Sequence, residues 1–219
     1  MPKLLHRCGV LLGVLWAVAG CSEAPATEVA AAPLTAMQRA ALEIQPTDRV
    51  LGSPAAPVKV VEYASFTCKH CADSHKEIFP LLQQEYVATG KVAFVLRPLP
   101  LDNVALAVSK VVRCAPADQH YNFVSAFFNS QTTWLTAPDR LTAIKQIAQL
   151  GGMTPTAFDA CMQDAASQAE VLEMNRVGRE VLQVNSTPTY FVNGERVAGH
   201  RPALAFKEIL ARHLPTAAQ

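Results

Sequence analysis

Charge is scarce in this chain, and aromatic residues are scarcer. Asp, Glu, Lys and Arg make up 17% of the 219 residues, the formal net charge is +1, and Phe, Tyr and Trp together reach 7%. With no basic patch interleaved by aromatics, the electrostatic footprint of a nucleic-acid binder is missing. The one long apolar run, residues 10–19 (VLLGVLWAVA), is too short to cross a bilayer comfortably. No repeat period links one segment to another, which excludes a solenoid. No Met-rich or His-rich tract supports a metal-carrying surface. A second Cys-x-x-Cys is also missing, as is any His-x-x-His, and a structural zinc site usually needs such a second pair. What remains is a half-hydrophobic chain long enough for one globular domain, or for a domain with a large insertion.

The chemistry in this sequence centres on residues 66–71, FTCKHC. Before them runs VKVVEYASF (58–66), rich in valine and aromatics and bounded by prolines, as a buried strand is. After them ADSHKEIFPLLQQEY (72–86) places Ile78, Phe79, Leu82 and Tyr86 at helical spacing. A strand that feeds a helix through Cys-x-x-Cys puts Cys68 at the helix N-terminus. Unpaired N–H groups and the positive end of the helix dipole favour a thiolate there.

The N-terminus reads as a targeting segment. Lys3, His6 and Arg7 precede the apolar run, and Val18-Ala19-Gly20-Cys21 resembles a bacterial lipobox, in which Cys21 is lipidated and becomes the mature N-terminus. The expectation is a lipoprotein signal peptide over 1–20 and a membrane-surface anchor at Cys21. A tether over 21–50 would follow, with a short helix possible at LTAMQRAALEI (34–44). Cys8 would leave with the signal, so four cysteines remain for the exported chain: Cys68, Cys71, Cys114 and Cys161. An even number in an oxidising compartment suggests two pairs.

Further along, KVAFVLRPLP (91–100) reads as a second strand and implies a right-handed parallel β-α-β unit. From 102 to 183 the pattern turns helical. Asp102-Asn103 is a candidate cap, and Thr154-Pro155 supplies an N-cap and first helical position. Residues 184–214 return to strand chemistry, with a hairpin signal at Asn193-Gly194 and a last helix beyond Pro202. We therefore expect an α/β domain from 51–101 and 184–214, interrupted by a helical subdomain over 102–183. Trp134 and the Phe127-Phe128 pair belong to the core of that subdomain.

Within the motif, Cys68 is the expected exposed nucleophile and Cys71 its partner one turn further in. Lys69 and His70 lie between them and both favour a stable thiolate, which makes the corresponding disulfide a stronger oxidant. A zinc site recruiting His75 and His120 is the first alternative. A purely structural bridge, which so short a loop would make weakly stabilising, is the second. Glu62 falls inside a strand covered on both faces, where an unpaired carboxylate tends to keep its proton. The competing reading pairs it with Lys59 or Lys91. Cys114 and Cys161 are either reduced core cysteines or a second bridge.

Taken together, LGSPAAPVKVVEYASFTCKHC (51–71), CAPADQHYNFVSAFF (114–128) and STPTYFVNG (186–194) with Gly199 resemble the DsbA-like, thioredoxin-fold thiol-disulfide oxidoreductases of bacterial cell envelopes. The resemblance covers about residues 50–213. It implies a thioredoxin fold with an inserted helical subdomain, in the periplasm. In that pattern Cys68 attacks, Cys71 resolves and Glu62 relays protons to Cys71. Pro188 is a cis-proline facing the dithiol, Thr187 and Lys69 meet the substrate, and Cys114 pairs with Cys161. Lys69 stands where the commonest family motif has proline. Also implied are exported protein substrates with free thiols, a DsbB-like quinone-linked membrane oxidant, a monomeric state, and no cofactor or metal beyond the cysteine pair. An isomerase or reductase on the same scaffold is the alternative, and a thiol-dependent metal chaperone or holdase is a further one.

Overall fold

The computed structural model describes residues 33–215. The signal segment, Cys8, the lipobox with Cys21 and the first part of the expected tether lie outside the described residues.

The strand expected at 58–66 forms as β2 (Val58–Ala64), with every residue buried except Lys59. A nearly continuous run of valine, tyrosine and alanine is what a strand covered on both faces requires. β3 (Val92–Pro98) lies parallel to it, in register from Val58 opposite Val92 to Ala64 opposite Pro98. Their crossover is α2 (Lys69–Leu81), continued by a π-helical segment, Leu82–Val87. This helix begins at Lys69, with Cys68 at its N-terminus as expected, and changes pitch after Pro80, which has no N–H to donate to the preceding turn.

β4 (Thr189–Val192) runs antiparallel to β2 and returns through Asn193-Gly194 as β5 (Glu195–Ala198). The turn residues have φ of 45° and 93°, the left-handed backbone that an Asn-Gly pair adopts most easily. A two-residue edge strand, β1 (Val50–Leu51), pairs antiparallel with β3. The sequence suggests only turns there, because two residues are too few to show alternation. The sheet order is β1-β3-β2-β4-β5. With α9 (Ala203–His213) closing the chain against Tyr190 through Phe206, this is the thioredoxin fold that the resemblance implied.

Between β3 and β4 come α3 (Asn103–Cys114), a 3-10 turn (Ala117–Gln119), α4 (His120–Asn129), α5 (Gln131–Leu135), α6 (Arg140–Leu150), α7 (Pro155–Gln163) and α8 (Ala165–Arg176), then a π-helical segment, Val177–Val181. Asp102 caps α3, and Thr154 caps α7 with Pro155 in its first turn. This helical block shares its core with the sheet. Phe66 stacks on Phe128 at 4.7 Å, and Phe79 stacks on Tyr121 at 5.8 Å. Trp134, Phe127 and Phe128 are fully buried in that common core.

The opposite face of the sheet corrects the expected tether. From Leu34 onward the chain is docked on the domain: α1 (Ala36–Leu42) has a capping box from Thr35 and Gln38, and Leu42 is buried with Val61, Tyr63 and Phe191. The cause lies in β3. Arg97 is only 2% exposed, and a buried guanidinium must find partners. Asp48 supplies a two-pronged pair at 2.9 and 2.7 Å, and the carbonyls of Ala41 and Glu43 accept at 2.6 and 2.8 Å. The short helix read as possible at 34–44 forms as α1, but composition alone made the stretch look like a tether; a charge 49 residues beyond Asp48 holds it in place. No helix among the described residues is long and apolar enough to cross a membrane.

Candidate functional site

Cys68 is the N-cap of α2, with φ −79° and ψ 119°, and no side chain caps that helix end. The first-turn N–H groups are therefore free to meet the sulfur. Cys68 is half-buried and Cys71, one turn on, is fully buried; both are free thiols. The β4 side of the sheet supplies the opposite wall. The Thr187–Pro188 peptide bond is cis, and the Thr187 carbonyl lies 3.4 Å from Cys68 Sγ, accepting from the thiol.

The environment drives the two sulfurs apart. Cys68 is pulled down from 9.0 to about 5, first by the hydrogen bond from the Cys71 thiol. Burial opposes this, and the Thr187 side chain with the backbone N–H groups of Cys71 and His70 adds to it. Once the thiol ionises, the Thr187 carbonyl offers nothing to the thiolate, whereas a hydroxyl donor does. Cys71 is pushed well above its ordinary value by burial, then by its bond to Cys68 and the nearby charges of Cys68 and Glu62. One thiol is set to ionise and the other to hold its proton.

Lys69 does not play the expected part. Its side chain is 79% exposed, and Nζ pairs with Asp73 Oδ2 at 2.6 Å along the helix surface. The His70 ring is exposed as well, and it is the His70 backbone N–H that reaches the sulfur. The Cys71 thiol first, then Thr187 and the backbone N–H groups of Cys71 and His70, rather than the Lys69 and His70 side chains, stabilise the thiolate.

Glu62 is 2% exposed and on the same face of β2 as Val58, Val60 and Ala64, whose core also takes in Cys71. The ion-pair alternative fails at Lys59, which pairs instead with Glu43 at 2.5 Å. Burial raises Glu62 from 4.5 to about 8; the Tyr190 hydroxyl partly offsets this, and Cys68 adds to it. Tyr190 stands directly opposite on β4, and its hydroxyl meets Ser74 Oγ at 2.8 Å. Glu62 Oε1 is buried without a partner, which suits a carboxyl that holds a proton at neutral pH.

Cys114 and Cys161 are joined in a disulfide, with Cα atoms 6.0 Å apart, tying the end of α3 to α7. The two histidines of the zinc alternative are engaged elsewhere. His75 Nε2 meets Ser125 Oγ at 3.0 Å, and His120 Nδ1 meets the Val112 carbonyl at 3.1 Å. Among the described residues no group of three or more His, Cys, Asp or Glu side chains is arranged to hold a metal ion.

Several residues carried no sequence signal for a place at this site. Asp102 caps α3 with one oxygen and accepts from Thr67 Oγ1 with the other, at 2.8 Å. Gln131 Nε2 donates to the Phe66 and Cys68 carbonyls at 2.8 and 2.9 Å. Tyr190 and Ser74 extend the polar cluster behind Glu62. A capping aspartate, a helix-start glutamine and a strand tyrosine are each common, and only their convergence on the motif sets them apart.

The family described as Thioredoxin matches residues 44–212. A Rickettsia bellii protein named "Putative protein-disulfide oxidoreductase" is 32% identical over 153 residues, spanning 69% of this chain and 59% of its own length. The chain thus spans about three fifths of the length of such curated relatives. Among solved structures, Wolbachia pipientis alpha-DsbA1 superposes with a TM-score of 0.75 at 27% identity, covering 80% of this chain and 95% of that one. A protein-disulfide isomerase from Novosphingobium aromaticivorans gives 0.67 at 25% identity, covering 76% and 97%.

Proposed function

This chain belongs to the thioredoxin family and is DsbA-like within it, and from that premise we propose that it is a thiol-disulfide oxidoreductase that introduces disulfides into exported proteins. One observation carries the reading: a half-exposed Cys68 at a helix N-terminus, its pKa pulled down to about 5 so that it is a thiolate at neutral pH, with a buried, proton-holding Cys71 behind it. A sulfur stable as an anion is a good leaving group, and a disulfide that yields such a thiolate is a strong oxidant.

In the proposed cycle a substrate thiolate attacks Cys68 Sγ of the oxidised pair. The Cys68–Cys71 bond breaks, a substrate–Cys68 mixed disulfide forms, and Cys71 leaves with the electron pair. Glu62, protonated below about pH 8, gives its proton to Cys71 and recovers one from solvent. A second substrate thiolate then attacks the substrate sulfur of the mixed disulfide. The substrate is released oxidised and Cys68 departs as a thiolate. Thr187 and Pro188, facing Cys68, form the edge along which a substrate strand would lie, and Lys69 is at its exposed rim.

Reoxidation passes two electrons and two protons to an acceptor, by family pattern a DsbB-like quinone-linked membrane protein. The cysteine pair serves as the redox group, with no separate cofactor. The proposed setting is the bacterial periplasm, where the chain acts as a monomer anchored to the membrane surface by lipid on Cys21. Equilibration of Cys68–Cys71 against a glutathione ladder tests the direction: a potential well above that of thioredoxin fits an oxidase, and one near it fits a reductase. The likeness to the Novosphingobium isomerase supports the second reading. An oligomer that reshuffles scrambled disulfides faster than it forms new ones would replace the oxidase reading with that one.

A further inference from the structure

One neutral side chain of the insertion bonds to two backbone carbonyls of the redox motif. Gln131 is 5% exposed at the start of α5, and its Nε2 donates to two carbonyls, Phe66 O at 2.8 Å and Cys68 O at 2.9 Å. An amide nitrogen carries two hydrogens, so both are used. The two carbonyls flank Thr67, and one planar group holds them at a fixed separation. That constrains the backbone of the turn leading into α2. Cys68 O is also the acceptor for the first turn of the helix, from Cys71 N at 3.1 Å and Ala72 N at 3.2 Å.

We propose that Gln131 is a positioning residue for Cys68: its side-chain amide locks the turn from Phe66 to Cys68 so that the first-turn N–H groups of α2 stay aimed at the sulfur. The amide acts in two ways. It fixes the orientation of the peptide units that donate to Cys68. It also sets two partly positive hydrogens against two carbonyl oxygens whose negative charge would otherwise oppose a thiolate close by. Unlike Lys69, whose charge is turned along the helix surface onto Asp73, Gln131 is buried and neutral at every working pH. Salt and solvent therefore screen it little. The insertion thus tunes the dithiol as well as packing against it.

The inference rests on the exchange reading above, and one set of titrations separates the two. Ultraviolet thiolate absorbance of the reduced full chain, followed against pH, reads Cys68 directly. In the Gln131→Ala variant the Cys68 transition moves up by about one unit, and the equilibrium constant against glutathione shifts about tenfold toward the protein disulfide. Gln131→Met keeps the bulk and loses both donors, so it moves the transition in the same direction and serves if the alanine variant folds poorly. Trp134→Phe removes the Trp134 Nε1 bond to Phe127 O from the same helix without touching the motif carbonyls. It lowers the melting temperature and leaves the Cys68 transition where it is. If the parent titrates low and neither Gln131 variant moves that transition, Gln131 only satisfies two buried carbonyls and the inference is overturned. If the parent itself titrates like an ordinary cysteine, both the exchange reading and the inference fall.

Discussion

Two cysteine pairs in one chain show how the same side chain is made reactive or inert. Cys68 and Cys71 are one helical turn apart at the open end of α2, with one sulfur half-exposed and met by peptide N–H groups. Cys114 and Cys161 are 47 residues apart and bridge two helices of the insertion. Closing a short loop removes little freedom from the unfolded chain, whereas a 47-residue loop is worth about 4 kcal/mol in the chain-entropy model. The first pair gains its chemistry from the stability of its reduced form, and the second gains its structural value from the restriction it places on the unfolded one. What separates them is the polar surroundings of one sulfur and the length of chain between the other two.

The largest test of this contrast is activity. Cys68→Ser and Cys71→Ser each abolish oxidation of a dithiol peptide, because neither can form the bridge; offered glutathione disulfide, Cys71→Ser keeps a Cys68–glutathione mixed disulfide visible by mass, with one glutathione thiolate released. A double Cys114→Ser, Cys161→Ser variant retains exchange at the Cys68–Cys71 pair. Loss of exchange in a folded double variant would break the division of labour.

Stability comes next. Removing the Cys114–Cys161 bridge lowers unfolding free energy by about 4 kcal/mol, roughly 10 °C in melting temperature for a domain of this size. Reducing Cys68–Cys71 alone has the opposite sign and stabilises the protein, because folding favours the Cys68 thiolate. Urea unfolding of the two redox forms with the outer bridge intact measures this directly.

A third test is carried by pH. The pKa of Glu62 is raised on folding from 4.5 to about 8, so the native state holds a proton that the unfolded chain gives up. In the oxidised protein, where Cys68 carries no charge and burial alone raises Glu62, stability therefore falls as pH rises above about 4.5 and levels off once the native carboxyl has ionised as well. In the reduced protein the depressed Cys68 works the other way. Its contribution is full above 9.0 and is lost as pH falls through about 5, so the two slopes oppose each other. Glu62→Gln flattens the oxidised profile and raises stability at pH 8; an unchanged slope would mean that Glu62 is not the titrating group. The smallest expected effect belongs to Lys69→Ala, which moves the Cys68 transition by less than about half a unit, since an exposed charge paired with Asp73 is screened. A shift as large as that from Gln131→Ala would return the thiolate to side-chain cations.

Much of this site was legible before any coordinates. FTCKHC announced a dithiol at a helix N-terminus because strand pattern, i to i+3 spacing and helical periodicity are all local. The Asn193-Gly194 hairpin and the Thr154-Pro155 helix start were readable for the same reason. The helix within 34–44 was readable, but its docking and β1 were missed, because what fixes them is Arg97 and the edge of β3 rather than their own composition.

By itself, then, the sequence determined which sulfurs could react, the fold class and the order of its elements. Tertiary structure decided what surrounds those sulfurs. Gln131 meets Cys68 across 63 residues, and Thr187 meets it across 119. Lys59 turns to Glu43 and leaves Glu62 without a cation there. The physical reason is range. Propensity and periodicity act over a few residues, whereas an acid's proton affinity and a thiolate's stability depend on donors and desolvation, and only packing brings those together.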